Sequence, residues 1–344
     1  MEWIIIKEQN INEYINFLDN NVNSGIWHYP KWITFLLNAK KIESGFNFII
    51  KNNNEIIICG TFLIYKNRFL KYGYIPAGFI YKKEYLNEEL YDFLIKNLNQ
   101  YIKKDNITFI QIDSITPFDE NFNQIIKNKK NYEINILLPI PQYTNKIDLS
   151  KTEEDILKSM KHKGRYNIKY AEKNGIKIRD TFTKDIKNID EGIEKFYELL
   201  TATTSRDGFR PNNIEYYKEF IKNIESARLL FAYDSEDELL AAGIFTYTKH
   251  QGLYYYGASS NNKRNLMAPY LLQWHAILIA KEKGCLYYDF MGIKNPNNKK
   301  DKLEGVTDFK LKFSENIIKF NPSYKIILNK WKYILYLLLK KLIF

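Results

Sequence analysis

The sequence predicts an α+β protein of two tandem domains, in which each domain is a mixed sheet flanked by helices. The stretch 239–293 contains, in order, two strands, a loop, a helix and a third strand, and a similar order occurs at 56–113. A length of 344 residues is typical of two domains. The hydrophobic content of 45% is enough for packed cores, which excludes a disordered chain.

In the second half, an apolar run at 239–247 and a tyrosine-rich run at 252–257 predict two strands joined by a short turn. Residues 269–283 place apolar side chains at helical spacing between Pro269 and Gly284, which predicts a helix. A short apolar run follows and predicts the return strand. This order is that of an acyltransferase-like core, in which the loop between the second strand and the helix holds the substrate.

The first half repeats this order. The segment CGTFLIYKNRFLKYGY at 59–74 is similar to AGIFTYTKHQGLYYYGA at 242–258, because each contains a strand, a basic turn and an aromatic strand. In both halves a loop, a helix and a strand follow, and the last strand ends in an acid, Asp113 or Asp289. Similarity over half the chain favours a duplicated domain over an array of short repeats.

The charge favours a polyanionic partner. The formal net charge is +11 and the sequence pI is about 9.2, which fits RNA, anionic lipid or a nucleotide-linked substrate. A lysine-rich composition inherited from an AT-rich genome explains the same charge. The two cysteines, Cys59 and Cys285, lie in apolar runs and fit a reducing cytoplasm. With no signal-peptide pattern and no apolar run of about 20 residues, we expect a soluble cytoplasmic protein.

Two basic segments are candidates for binding anionic groups. The predicted helix after Thr152 carries a lysine-rich face, which fits phosphate contacts or a plain solvated surface. Arg206 and Arg210 flank an Asp-Gly turn in a polar loop at 203–217, where a planar guanidinium suits a carboxylate or a phosphate. Pairing of these arginines with a local acid is the alternative. The candidate phosphate-contacting residues of the helix include Lys161, Lys163 and Arg165.

Six segments follow one another along the chain: WHYPKW, YIPAGF, IDLSKTEEDILKSMKHKGRYNIKYAEKNGI, TSRDGF, YYYGASSNNKRNLMAPYLLQWHAILIAKEKGCLYYDFMGI and GVTDFKLKF. Together they resemble the FemABX family, most closely its FemX-type peptidyltransferases of peptidoglycan interpeptide bridge synthesis. The resemblance implies two tandem GNAT-like (acyl-CoA N-acyltransferase-like) domains without a coiled-coil arm. It places 1–145 with 317–344 in the first domain, which binds the precursor, and 146–316 in the second, which holds aminoacyl-tRNA and the catalytic residues.

The resemblance also assigns site residues. The family's Phe-Lys pair matches Phe309 and Lys310, and the lysine is expected to face the reacting ester. Asp113 matches an acid considered as a base. The family's TxRDGF segment implies precursor contacts, although this chain has Arg210 where many relatives have an aromatic residue. The expected substrate-binding residues are Lys31, Trp32, Tyr74, Thr204, Arg206, Arg210, Tyr254 and Tyr256.

Among these residues, Tyr254 and Tyr256 are expected on one face of their strand, because side chains alternate along a strand. The resemblance implies aminoacyl-tRNA as donor and UDP-MurNAc-pentapeptide or lipid II as acceptor. The candidate tRNA-contacting residues are then Lys161, Lys163 and Arg165. The transferred residue, Gly, Ala or Ser, stays open. We expect no cofactor and no metal, because the ester of aminoacyl-tRNA is already activated and the four histidines are isolated. We also expect a monomer.

Two other functional classes fit parts of the sequence. An acetyl-CoA N-acetyltransferase would hold the CoA pyrophosphate on backbone amides of a glycine-containing loop. Here the corresponding loop, SSNNKRNLMAPYL at 259–271, has no glycine, and Pro269 has no N–H to donate. The third class is a non-catalytic module that binds RNA or a membrane.

The last segment, 330–344, mixes aromatic, aliphatic and basic residues over about four helical turns. This pattern is typical of peripheral contact with the inner face of the plasma membrane. The alternative, which the family resemblance implies, is a helix packed back on the first domain.

Overall fold

The computed structural model describes residues 1–129, 132–134, 140–180, 189–208, 210–297 and 303–343. The chain divides into two compact units. The first is formed by Met1–Gln142 together with Lys319–Phe344, and the second by Tyr143–Ile318.

The elements follow one another in chain order. Up to residue 142 they are β1 Glu2–Ile5, α1 Ile11–Asp19, α2 Pro30–Asn38, β2 Ser44–Asn52, β3 Glu55–Lys66, β4 Lys71–Ile75, β5 Ile80–Tyr81, α3 Glu88–Asp105, β6 Ile107–Ile112, α4 Glu120–Lys127 and β7 Tyr132–Ile134. After it they are β8 Tyr143–Asp148, α5 Glu153–Ser159, α6 His162–Lys173, β9 Lys177–Asp180, α7 Ile189–Asp207, α8 Ile214–Asn223, β10 Ala227–Tyr233, β11 Leu239–Tyr247, β12 Gln251–Ser259, α9 Ala268–Glu282, β13 Tyr287–Asp289, α10 Glu304–Lys310, β14 Ile317–Lys319, β15 Tyr324–Ile327 and α11 Lys330–Ile343.

The sheet of the first unit has the order β1-β2-β3-β4-β6-β15-β7, with β5 paired to β3. Strand β4 runs parallel to β6, and the two are joined through α3. Leu90, Leu94 and Leu98 of α3 are spaced four residues apart and are buried against this sheet. Asn87 caps the start of α3 by accepting a hydrogen bond from the N–H of Leu90 at 2.8 Å.

The sheet of the second unit has the order β14-β8-β13-β12-β11-β10-β9. Its parallel pair is β12 with β13, and these strands are joined through α9. Helix α9 is buried along most of its length against the core formed by Phe245, Tyr288 and Phe290. Helix α8 packs on the opposite face of the sheet, where Phe220 stacks on Tyr255.

Both units therefore contain an antiparallel hairpin, a helix and a return strand parallel to the second hairpin strand. This is the order predicted from the sequence, and the α+β class with mixed sheets and flanking helices is confirmed. The longest helices in the described ranges are α7 with 19 residues and α3 with 18, so no extended coiled-coil arm occurs among them. None of the helices in these ranges is long and apolar enough to cross a membrane.

Candidate active site

In the second sheet the two parallel strands, β12 and β13, separate where β13 ends. Strand β12 pairs with β13 from Gln251 to Leu253, where the partner of Leu253 is Asp289. Strand β13 ends there, whereas β12 continues to Ser259. Tyr254 is therefore the first residue beyond the pairing. In the first unit the corresponding pair stays together to the last residue of β4, Ile75.

Lys310, the last residue of α10, lies at this opening. Its side chain is buried, with 7% of its surface exposed. The Nζ atom donates hydrogen bonds to the carbonyl oxygens of Met291 at 3.0 Å and Gly292 at 2.7 Å. The centroid of the Tyr254 ring lies 5.8 Å from Nζ. Two carbonyls and an aromatic face thus hold the amine in one position, and the ring and the carbonyl oxygens favour its charged form.

Burial disfavours the charged form of the Lys310 amine. Loss of water lowers the pKa of Lys310 to about 7, and the nearby Asp289 carboxylate partly offsets the shift. Asp289 is itself buried and accepts hydrogen bonds from the Thr144 hydroxyl and from the N–H of Met291 at 2.7 Å. It also forms an ion pair with Lys146 at 3.5 Å. The amine is therefore close to balance between its charged and neutral forms near neutral pH.

This pKa predicts how stability depends on pH. Between pH 7 and the ordinary lysine value of 10.5, the unfolded chain binds one more proton at Lys310 than the folded chain does. The free energy of unfolding should therefore rise with pH by about 1.4 kcal/mol per unit, relative to a Lys310→Met variant. Urea denaturation of both proteins from pH 7 to 9 measures this slope. A difference that stays flat would contradict the lowered pKa, and Lys312→Met, at a lysine two residues away, is the control.

The prediction that Tyr254 and Tyr256 share a face is wrong. Tyr256 pairs with Ile244, and Tyr254 pairs with the next residue, Phe245, so Tyr255 is an extra residue in a β-bulge. Tyr254 stacks on Phe245 with ring centroids 5.5 Å apart, on the face of α9 and Lys310. Tyr256 lies on the face of α8.

The contacts of Tyr256 follow from that placement. Its hydroxyl lies 3.0 Å from the hydroxyl of Tyr216, and its ring meets the rings of Tyr217 and Phe220 edge-on. Tyr254 is thus the member of the pair that the structure brings to Lys310. Tyr256 belongs to the packing between β12 and α8.

Glycine at position 257 makes room for Tyr254. A Cβ atom on Gly257 would lie 1.6 Å from the Tyr254 hydroxyl oxygen and 2.5 Å from its Cζ atom. The paired residue Gly243 leaves similar room for the ring of Phe245. The two glycines therefore let both rings lie flat over the strands, which fixes the Tyr254 ring beneath the amine.

Gly257→Ala is expected to push the Tyr254 ring out of this position and to lower the free energy of unfolding by about 1–3 kcal/mol, as overpacked cores do. Thermal or urea unfolding measures the loss. In a Tyr254→Ala background the clash is gone, so Gly257→Ala should cost much less there. Equal costs in the two backgrounds would contradict this explanation.

Phe309 packs under the same helix end. Its ring meets the rings of Tyr270 at 5.0 Å and Phe313 at 5.3 Å, both edge-on. Tyr270 stands in the first turn of α9. Phe309 thus links α9 to α10 and supports the segment that carries Lys310.

The polar loop expected from 203 onward begins later, because α7 continues to Asp207. Thr203 donates to the carbonyl of Leu199 and exchanges hydrogen bonds with the backbone of Ser259. Thr204 is buried, and its hydroxyl donates to the Thr201 carbonyl at 3.1 Å. These bonds satisfy both hydroxyls and explain why the helix does not end at the threonines.

Arg206 is exposed in the last turn of α7. Its guanidinium donates to the carbonyl of Ser259 at 3.3 Å and to Oδ1 of Asn261 at 2.8 Å. Arg210 is also exposed. The Phe of the TSRDGF segment, Phe209, lies outside the described residues. Arg206 therefore contacts the loop after β12, which was predicted to lie at the substrate.

The same loop is also fixed by its own residue Lys263, which the sequence reasoning did not single out. Lys263 lies in the left-handed region with φ 47°. Its Nζ atom contacts Asp234 at 2.5 Å, Glu236 at 2.6 Å and Glu238 at 3.0 Å, all from the β10–β11 turn. These contacts raise the pKa of Lys263.

The three predicted tRNA-contacting residues differ in their surroundings. Lys163 is exposed. Lys161 is exposed and pairs with Glu315 at 2.9 Å. Arg165 donates to the carbonyls of Met160 and Lys158, so its guanidinium caps the end of α5. Any nucleic-acid contact of Arg165 would compete with that cap.

In the first unit, segments predicted for the precursor pocket are held by buried polar contacts. The His28 ring accepts from the N–H of Gly25 at 3.1 Å, and its other nitrogen lies 3.3 Å from the carbonyl of Gly78. Burial lowers the pKa of His28 to about 4, so the ring is neutral. Trp32 is buried and Lys31 exposed on the adjoining helix α2.

Tyr74 and Asp113 form a pair in the same unit. The Tyr74 hydroxyl donates to the Asp113 carboxylate at 2.6 Å, and Gln111 donates to it at 3.3 Å. Asp113 is fully buried, which raises its pKa. Its role as a base stays a prediction.

Met291 and Gly292 are site residues that sequence reasoning missed. Asp289 was named as the acid that ends a strand but was not assigned to the site. No sequence pattern marks the two carbonyls, because every residue type has a backbone carbonyl. Met291 has a φ of 58°, which turns the chain toward Lys310, and no glycine in the sequence indicates this left-handed conformation.

Comparison with known proteins places these features in a family. The sequence model of the FemAB family matches residues 131–233 and 222–341. The chain is 24% identical to the aminoacyltransferase FemA of Staphylococcus aureus strain COL over 373 aligned positions, which cover 85% of this chain and 88% of FemA. FemA of the bovine strain RF122 / ET3-1 gives the same values.

Solved structures show the same fold. A crystal structure of FemX superposes with a TM-score of 0.83 at 18% identity and covers 97% of this chain and 99% of its own. A tandem GNAT protein from the clavulanic acid biosynthesis pathway superposes with a TM-score of 0.57 at 9% identity, covering 94% of this chain and 97% of its own. The predicted tandem GNAT-like fold is thereby confirmed. Because the family model matches more than half of the sequence, the chain belongs to the FemAB family.

Proposed function

We propose that the chain is an aminoacyltransferase that moves Gly, Ala or Ser from aminoacyl-tRNA to the side-chain amine of a peptidoglycan stem peptide. The observation that carries the proposal is Lys310, held by two carbonyls beside Tyr254 where β12 and β13 part. The aminoacyltransferase name of the FemA relatives supports the same reaction. The acceptor is UDP-MurNAc-pentapeptide or lipid II.

The reaction requires no covalent enzyme intermediate. The acceptor amine attacks the ester carbonyl carbon, a C–N bond forms, and the bond from that carbon to the ribose oxygen breaks. The amine loses a proton and the ribose oxygen gains one. Between these steps a negative charge develops on the former carbonyl oxygen, which a fixed cation stabilises.

Lys310 is the group we assign to that charge. Two of the three N–H bonds of its ammonium point at Met291 and Gly292, which leaves the third for the oxyanion. The Tyr254 ring lies against the amine, and Phe309 holds the end of α10 in place through its contacts with Tyr270 and Phe313. Alignment of two bound substrates supplies much of the remaining rate enhancement.

The other residues are assigned to binding. Arg206 and Arg210 are exposed at the end of α7 and suit the phosphates of the precursor. Lys161 and Lys163 are exposed at the start of α6 and suit tRNA phosphates. In the first unit, Lys31, Trp32 and Tyr74 are assigned to the precursor. We place the reaction in the cytoplasm.

Acetyl-CoA N-acetylation is the second candidate, favoured by the GNAT-like fold. The start of α9 argues against it. The residue before the helix, Met267, is in the left-handed region with φ 58°, and Pro269 occupies the first turn. A proline removes one of the N–H groups on which a pyrophosphate would be held.

The experiment offers both donors to the same acceptors. The protein is incubated with UDP-MurNAc-pentapeptide or lipid II and with glycyl-, alanyl- or seryl-tRNA, or with acetyl-CoA, and the acceptor is weighed by mass spectrometry. An acceptor heavier by one amino-acid residue supports the proposal. Acceptors heavier by an acetyl group, or unchanged with every charged tRNA, would overturn it.

A further inference from the structure

Helix α11 exposes a continuous apolar face. Trp331, Ile334, Leu335 and Leu338 are 84%, 47%, 56% and 55% exposed. Their spacing of three, four and seven residues puts them on one side of the helix. Large apolar side chains that share one exposed face mark a binding surface.

The opposite face of α11 is fixed to the first unit. Tyr333 is buried, its ring meets Phe109 edge-on at 5.4 Å, and its hydroxyl donates to Glu133 at 2.6 Å. The Tyr336 ring lies 6.3 Å from Phe109 and 6.4 Å from Phe69. The helix therefore packs back on its unit and still presents a second, apolar face outward.

We propose that this outward face docks on an anionic membrane surface. Helix α11 spans 14 residues, or about 21 Å, which is too short for a hydrocarbon core of about 30 Å. A short helix with Trp and Leu on one face and lysines at its sides lies in the plane of the interface. The face is the outer side of a packed helix, so the fold need not change for it to bind.

The positive charge around α11 favours an anionic lipid surface over a second copy of the chain as the partner of this face. No Asp or Glu follows Glu315, whereas lysines are frequent in the same segment. On a helical wheel Lys330 and Lys332 fall about 100° to either side of Trp331, so both flank the apolar face. Both are exposed. Basic flanks attract anionic headgroups, whereas two copies of this helix would repel each other.

The proposal depends on α11 alone and not on the transfer reaction. Vesicle binding can be measured without either substrate. Failure to bind vesicles would leave the proposed activity untouched, and absence of transfer would leave the membrane surface untouched.

The test uses vesicles of phosphatidylglycerol mixed with phosphatidylcholine, and vesicles of phosphatidylcholine alone. Trp331 is the most exposed of the five tryptophans and dominates the response to contact, because Trp27, Trp32 and Trp274 are buried and Trp3 is half-buried. With the anionic vesicles we expect a blue-shifted tryptophan emission, protection from acrylamide quenching, and co-sedimentation that weakens as salt rises. With neutral vesicles we expect weaker binding.

Leu335→Glu and Leu338→Glu should each weaken binding to the anionic vesicles by about 10-fold or more, because each loses buried apolar area and adds a negative charge. Both positions are exposed, so melting temperatures should not change. Val22→Glu, at an apolar side chain that is 49% exposed outside α11, is the matched control and should bind like the wild type. Equal binding of all four proteins would overturn the proposal. A concentration-dependent dimer that Leu335→Glu dissociates would overturn it as well and assign the face to a second copy.

Discussion

Replacement of Lys310 by methionine is expected to reduce kcat/KM for aminoacyl transfer by about 10²–10³-fold, the usual effect of removing one donor to a developing oxyanion. Methionine keeps the length and apolar stem of the side chain and removes only the amine. Single-turnover transfer from charged tRNA to the precursor measures the loss of the chemical step.

Lys312→Met is the control for this variant. Lys312 lies two residues further along the chain, and its Nζ atom donates to the carbonyl of Asp308 at 2.9 Å. We expect near wild-type transfer from it. A Lys310→Met protein that melts like the wild type and retains more than about a tenth of its activity would contradict the assigned role.

Gly164→Ala is expected to lower the free energy of unfolding by about 2 kcal/mol. A Cβ atom at this position of α6 would lie 2.4 Å from the carbonyl oxygen of Lys312. That oxygen belongs to the backbone and already accepts from the N–H of Lys161 at 3.1 Å, so α6 and the segment after α10 must move apart. Since Lys310 precedes Lys312 by two residues, transfer should decrease together with stability.

Gly305→Ala is the control, because it changes helix propensity in the same way without producing a clash. A Cβ atom on Gly305 of α10 would meet no atom of the described residues within 4 Å. Gly305 is the second residue of α10, so alanine there should raise stability by less than the roughly 1 kcal/mol that it contributes in helix interiors. If Gly164→Ala also raised the free energy of unfolding in urea titrations, the close contact between α6 and Lys312 would be disproved.

Much of the fold was predictable, because its repeated unit leaves a pattern in the residues. The hairpin, helix and return strand of each half follow from apolar periodicity and from stops such as Gly284. The end of α7 was not predictable. Thr203 and Thr204 resemble a loop in composition, but their hydroxyls bond to Leu199 and Thr201 and the helix continues.

The site was predictable only where a side chain carries its chemistry. Lys310 and Phe309 stand out because a motif marks them. The carbonyls of Met291 and Gly292 could not be predicted, because no residue type is specific to a backbone contact. The pKa of Lys310 could not be predicted either, because it depends on burial that arises only when α10 packs against the sheet. The face of Tyr256 was misjudged because strict alternation was assumed along β12.

The bulge at Tyr255 has a consequence for aligning this chain with its relatives. A relative without the extra residue should show its one-residue gap inside the tyrosine-rich strand, between the partners of Ile244 and Phe245. An alignment that moves the gap into the turn before β12 would shift residues 251–255 by one place. It would then equate Tyr254 with a residue on the opposite face of the relative's sheet, away from the lysine.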